Sequence, residues 1–212
     1  MRTIHKRIEP ASLTQYRKGV HATYDGYPDK DTLREFLVAE QRGLCCYCMG
    51  RIRASREEMK IAHWHSRSRH PDEQLEYRNL LGACKGNEHK PRREQHCDTR
   101  QADRDISRNP ADPLHRVDQL IRYRGDGRIE SDDAGFDKEL NEILNLNFAF
   151  LVNKRKAVLT AFQEALGKRG RSPRKKLERW LLEWNGDSVS GELPEFCQVV
   201  VYWLRKRLSR RS

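Results

Sequence analysis

Four cysteines in two groups constrain this chain more than any other feature. In GLCCYCMGRI, residues 43–52, Cys45 and Cys48 have the C-x-x-C spacing, and about forty residues on come Cys84 in NLLGACKGN and Cys97 in REQHCDTRQAD. Two thiolates at that spacing grip one metal ion or form a redox pair, and two such knuckles meeting around one ion give zinc the four soft ligands it takes in a tetrahedron. Twelve residues separate Cys84 from Cys97, so the second half is irregular, and His89 or His96 could replace one thiol. The reading is a structural Zn2+ on Cys45, Cys48, Cys84 and Cys97. A redox pair at Cys45 and Cys48 is the competing reading and predicts a titratable disulfide without zinc. Cys46, between two ligands, is expected in packing, and Cys197 in the apolar stretch PEFCQVVVYWL is expected in the core.

Charge narrows the partners. Lys and Arg exceed Asp and Glu by 42 to 31, a formal +11, which favours polyanions through phosphate neutralisation and makes nucleic acid the expected partner. The first residues, MRTIHKRIEP, have no apolar signal-like run and no stretch reaches membrane-spanning length, so the expectation is a cytoplasmic protein that keeps its thiols reduced and has no membrane partner.

The periodic pattern divides the chain. Residues 1–30 read as an extended arm. DKDTLREFLVAEQRG, residues 29–43, reads as a helix, with Thr32 and Glu35 as a capping box and Gly43 as its stop. Residues 44–105 are dense in Cys, His, Asn and Arg and poor in long apolar periodicity, the pattern of a small domain held by metal. IRYRGDGRIES, residues 121–131, reads as a hairpin turning at Asp126-Gly127. Helical spacing then runs from about residue 134, GKRGRSPRKK breaks it, and further helices are expected at 173–185 and 194–209, the last with Pro194 in its first turn. The tail RKRLSRRS is either a solvated helix end or a phosphate-binding surface.

Between the two cysteine groups lies MKIAHWHSRSRHPDEQLEYRNLLGAC: a β-like run ending in a histidine, a loop, then Asn79 before an apolar pair and a cysteine. That order matches the HNH nuclease motif. In it a histidine takes a proton from water, an asparagine fixes that imidazole through its carbonyl, and one divalent metal stabilises the phosphate. The general base would be His63 and its orienting residue Asn79.

The chain resembles the small HNH proteins of retrons and of the Septu antiphage system, the PtuB-like nucleases. EFLVAEQRGLCCYC is similar to that family's helix and first knuckle, IAHWHSRSR to its first HNH strand, LEYRNLLGACKGN to its asparagine loop, and HCDTRQAD to its last segment; GDGRIESDD and LNEILNLNFAFLVNKR are similar to its C-terminal half. The resemblance implies a DNA or RNA endonuclease, tRNA included, held under control by a PtuA-like ATPase, with catalytic Mg2+ or Mn2+. Its retron members add a reverse transcriptase and its msDNA as further partners. HNH enzymes commonly place an acidic residue or histidine immediately before the base; here Ala62 stands there, so His65, with Asp98 from the last segment, becomes the candidate catalytic-metal pair, His96 and Gln101 being alternatives to Asp98. Arg67, Arg69, Arg92, Arg93, Arg100 and Arg104 flank the site as candidate phosphate contacts.

The expected architecture is α+β, mostly helical: an arm (1–30), a helix plus zinc-bound ββα-metal core (31–110), and a hairpin with helices (111–212). The rival reading is a zinc-folded nucleic-acid-binding or docking subunit whose HNH site is degenerate.

Overall fold

Asp29 starts the first long helix, and what that helix carries at its far end organises the middle of the molecule. The structure, a computed structural model, describes residues 1–167, 173–188 and 190–210. Within them the fold is α+β, with helix the commonest regular element beside two small antiparallel sheets. After α1 (Ala11–Arg17), α2 (Lys30–Glu40) begins where the Asp29 carboxylate accepts the Thr32 N–H, so Asp29 caps the helix, one turn earlier than the Thr32 box would place it. Leu33 and Leu37 are its buried face.

Just past α2, Gln41 is 4% exposed and its amide does the work of a third strand. Its Oε1 accepts the Gly82 N–H at 2.6 Å, and its Nε2 donates to Gly82 O at 2.7 Å and Leu44 O at 2.8 Å. Gly82 lies in β2 (Leu80–Cys84), which pairs antiparallel with β1 (Met59–His63), Met59 opposite Cys84 and His63 opposite Leu80. The approach is close: a Cβ on Gly82 would sit 2.9 Å from Ile52 Cδ1 and 3.1 Å from both Gln41 Nε2 and Met59 Cε, so these side-chain ends would have to shift to admit one. A short helix α3 (Cys97–Gln101) follows, tied back to β1 where Lys60 donates to Thr99 Oγ1 and pairs with Asp98.

The N-terminal residues are no loose arm. Met1 and Ile4 are 2% and 4% exposed, the Met1 ammonium donates to Tyr123 Oη at 2.9 Å, and Ile4 N–H bonds Pro110 O. Lys6 is buried against Glu40 at 3.4 Å, donates to Leu80 O at 2.7 Å and lies over the Tyr77 ring. Ordering this segment is repaid by contacts with residues far along the chain, which residues 1–30 alone do not reveal.

After a one-turn helix α4 (Val117–Leu120), the expected hairpin forms as β3 (Ile121–Tyr123) and β4 (Ile129–Ser131), turning at Gly127 with φ +91°. Buried Arg155 braces the turn by donating to Gly127 O and Leu146 O, each at 2.7 Å. Helix α5 (Ala134–Lys138) runs into a wider turn at Glu139–Ile143. Then α6 (Ala149–Gly167), α7 (Arg174–Asn185) and α8 (Cys197–Ser209) pack around Leu159, Leu177, Val200 and Leu204, with Phe162 edge-on to Trp180, Trp184 and Trp203. Helix α8 starts three residues later than its proline suggests, because Phe196 takes a left-handed conformation (φ 54°) and Pro194 forms a turn before it. Cys197 is buried in the core beside Leu44 and Met49. Half of the expected break at residues 167–176, residues 168–172, and the last two residues of the basic tail, 211 and 212, lie outside the described residues.

Candidate metal centre and adjoining cleft

The end of α2, the tip of β2 and the start of α3 converge on four sulfurs. Cys45, Cys48, Cys84 and Cys97 place their Sγ atoms within 4.8 Å of one another, with Cys45–Cys97 at 3.9 Å and Cys48–Cys84 at 3.7 Å. Four sulfurs at about 2.3 Å from a tetrahedral zinc are about 3.8 Å apart, while a disulfide would bring two to about 2.05 Å. The set can therefore hold a metal ion such as zinc, and all six cysteines are free thiols.

The backbone suits that role. Met49 N–H bonds Cys45 O, Cys45 N–H bonds Gly50 O, and Gly50 N–H points at Cys48 Sγ at 3.4 Å, closing the knuckle so that both sulfurs face one point. On the other side Gly86 (φ +54°) lets His96 N–H reach its carbonyl, and a Cβ there would lie 2.1 Å from His96 O. Burial opposes ionisation of Cys45, but hydrogen bonds from Cys46, Cys48, Cys84 and Cys97 outweigh it and hold that thiol well below its ordinary value; burial pushes Cys97 up. Four thiolates this close share their negative charge stably only around a cation. The histidines do not replace a thiol: His89 is exposed, and His96 lies outside the set, its Nδ1 in hydrogen-bond contact with Cys97 Sγ at 3.2 Å. Cys46, as expected, is buried in packing.

Beside β1 runs a cleft of about 660 Å3 lined by Tyr24, Lys60, His63, Ser66, Arg67 and Asp98 among others. His63 ends β1 and aims Nε2 at Gln74 O, 3.0 Å away, while its ring meets the Tyr24 ring edge-on at 4.5 Å. A carbonyl only accepts, so Nε2 carries the proton and Nδ1 keeps a lone pair. Burial pushes the His63 pKa down to about 4, so the ring is neutral at pH 7.

Asn79 is placed differently from expectation. It is 3% exposed, and its Oδ1 accepts His65 N–H at 2.8 Å while Nδ2 donates to His65 O at 3.2 Å and Glu73 O at 3.1 Å. Its amide thus fastens the loop after β1, and the carbonyl of Gln74 is what orients the His63 ring.

The residues expected for a catalytic dication are not assembled. Ala62 is fully buried in the apolar core, so a carboxylate could not stand there without being buried too. Asp98 pairs with Lys60 at 3.5 Å in the cleft, with burial raising its pKa to about 6 against the pull of Lys60. His65 turns the other way: it lies past the end of β1, stacks on Trp64 at 3.7 Å and on His70 at 4.2 Å, and has Nδ1 2.7 Å from Glu73 Oε2. Among the described residues no ligand group contains both His65 and Asp98. Gln101 spends its Nε2 on Trp64 O and Arg104 O, its buried Oε1 having no partner.

The arginines separate by what they touch. Arg67 lines the cleft, pairs with exposed Asp25 at 2.6 Å and lies over the Tyr24 ring. Arg69 is 3.6 Å from Asp105 and Arg100 donates to Arg92 O. Arg104 donates to the carbonyls of Gln101, Glu142, Arg100 and Ile143, so it staples α3 to the turn at Glu139–Ile143 instead of facing a phosphate. The sequence reading did not single out Gln41, Tyr24, Gln74, Glu73, His70 or Asp105. For two of them a signal exists, since Pro71 opens a tight turn (Pro71–Glu73) that brings positions 70 and 73 together. Compared with known proteins, the chain matches no protein-family model and no curated sequence.

Proposed function

We propose that this chain is a zinc-folded HNH endonuclease that hydrolyses nucleic-acid phosphodiester bonds, with His63 as general base. The observation that carries the reading is His63 itself. It ends a strand of an antiparallel pair, is neutral, has one nitrogen fixed on Gln74 O, and stands in a cleft with Lys60 and Arg67 next to a four-thiol metal node. Nδ1 takes the proton from a water, whose oxygen attacks phosphorus as the P–O bond to the leaving oxygen breaks, and the leaving oxygen takes its proton from solvent. Lys60 and Arg67 supply positive charge to the phosphate, Arg67 after releasing Asp25. No step is assigned to Mg2+ or Mn2+, because the residues expected to hold the ion are apart. The antiphage setting, the PtuA-like ATPase partner and any retron components rest on the family resemblance alone.

The second reading, a zinc-folded binding or docking subunit, is favoured by Ala62, whose methyl packs in the core where such enzymes carry a ligand. The two readings part in a cleavage assay on plasmid DNA and total tRNA, with and without the ATPase, across divalent ions. Cleavage by the parent chain that falls at least 100-fold in His63→Ala supports the nuclease. Binding without cleavage, or cleavage indifferent to His63, overturns it.

A further inference from the structure

We propose that His65, His70 and Glu73 form a second metal centre, which takes a divalent transition-metal ion of the zinc or manganese class. It goes beyond the nuclease reading and stands whether or not the chain cuts. One donor atom from each residue lies within 4.8 Å of the other two. An ion at about 2.1 Å from each would hold them roughly 3–3.5 Å apart, so binding turns the His65 and His70 rings out of their parallel stack to point both nitrogens at the ion.

Three features distinguish this cluster from a chance meeting of surface side chains. The backbone under it is pinned from inside: the buried amide of Asn79 bonds the N–H and carbonyl of His65 and the carbonyl of Glu73, locking two of the three positions to one another. The third is set by turn hydrogen bonds, His70 N–H to Ser66 O and Glu73 N–H to His70 O. Behind it stands Asp105. Its Oδ2 lies 3.2 Å from His70 Nε2 and its Oδ1 accepts the Ser66 N–H, the carboxylate backing that orients a ligating imidazole and leaves Nδ1 for the ion.

The donor chemistry selects the ion. Two imidazoles with one carboxylate suit zinc, manganese, cobalt or nickel, whereas Mg2+ prefers carboxylates and water and gives up its hydration reluctantly. The side chains of His65, His70 and Glu73 keep 25%, 34% and 41% of their surface exposed, so an ion can enter and hold water or an anionic oxygen in its remaining positions. The centre also adjoins His63, since Gln74, which fixes the His63 ring, is the residue after Glu73.

The test is metal stoichiometry on the full chain. The parent protein, loaded with excess Zn2+ or Co2+ and then desalted, should carry two ions, and the cobalt form should show one thiolate-bound and one nitrogen–oxygen-bound spectrum. Glu73→Gln and His65→Ala should each lose one ion and the nitrogen–oxygen spectrum while keeping the thiolate-bound ion, which also reports that they are folded. A hundredfold excess of Mg2+ should displace neither. A parent chain that binds one ion, or a Glu73→Gln chain that still binds two, overturns the proposal; displacement of the second ion by Mg2+ overturns its ion class. Two ions with no His63-dependent cleavage would sink the nuclease reading alone, and one ion with such cleavage would sink this centre alone.

Discussion

At the scale of single residues, His63 couples the cleft to stability. Its ring is buried neutral with a pKa of about 4, against about 6.5 in an unfolded chain. Between those values the unfolded state binds the proton and the folded state does not. The ring's contribution to stability is therefore complete above about pH 6.5 and is lost as the pH falls toward 4. By pH 5 the loss is about 2 kcal/mol. Denaturant unfolding at pH 7.5 and pH 5 should show that loss in the parent and a loss smaller by about that amount in His63→Asn; equal losses in the two chains would mean the ring is not buried neutral. Asn79 carries the contrasting lesson. Its position before an apolar pair marks it in the sequence, yet its partner is decided by how the loop from His65 to Glu73 folds back, and that is not encoded in the spacing.

At the scale of elements, the four-thiol node joins parts that have little apolar surface of their own. The knuckle after α2, the tip of β2 and the start of α3 meet there, while α6, α7 and α8, of 19, 12 and 13 residues, pack on one another around Phe162 and Leu204 without any ligand to the node. Chelation should therefore open residues 44–105 to protease while more than half of the helical circular dichroism survives. Unchanged protease resistance would remove the structural role, and complete loss of helix would show that the two parts fold as one unit. What the sequence discloses follows the same division. Cysteine spacing discloses the node, and apolar periodicity discloses the hairpin and the long helices, because both are short-range patterns. The N-terminal segment is opaque for the opposite reason: Met1, Ile4 and Lys6 are buried through Tyr123, Pro110 and Glu40. Gln41 is opaque too, since a glutamine that completes a sheet edge looks in sequence like any polar helix end.

At the scale of the whole molecule, the +11 charge sets an expectation for affinity, and the structure sorts which charges deliver it. Phosphate neutralisation makes binding fall with salt in proportion to the number of cations engaged. Arg67 is 42% exposed at its side chain, lines the cleft and is restrained by one ion pair to an Asp25 that is itself 83% exposed, so screening and a phosphate can both replace that partner. Arg104 has all three guanidinium nitrogens committed to backbone carbonyls that no phosphate can substitute. Arg67→Ala should therefore lower the slope of log affinity against log salt by about 1, with stability little changed. Arg104→Ala should leave that slope as it is and cost about 2–3 kcal/mol in unfolding free energy, because the four carbonyls lose a charged donor. Fluorescence-anisotropy titrations of a labelled duplex between low and physiological salt, paired with denaturant melts of the same proteins, separate the two roles. If Arg104→Ala flattens the salt slope instead, the face between α3 and the Glu139–Ile143 turn belongs to the nucleic-acid path, and the cleft beside His63 is only part of the binding surface.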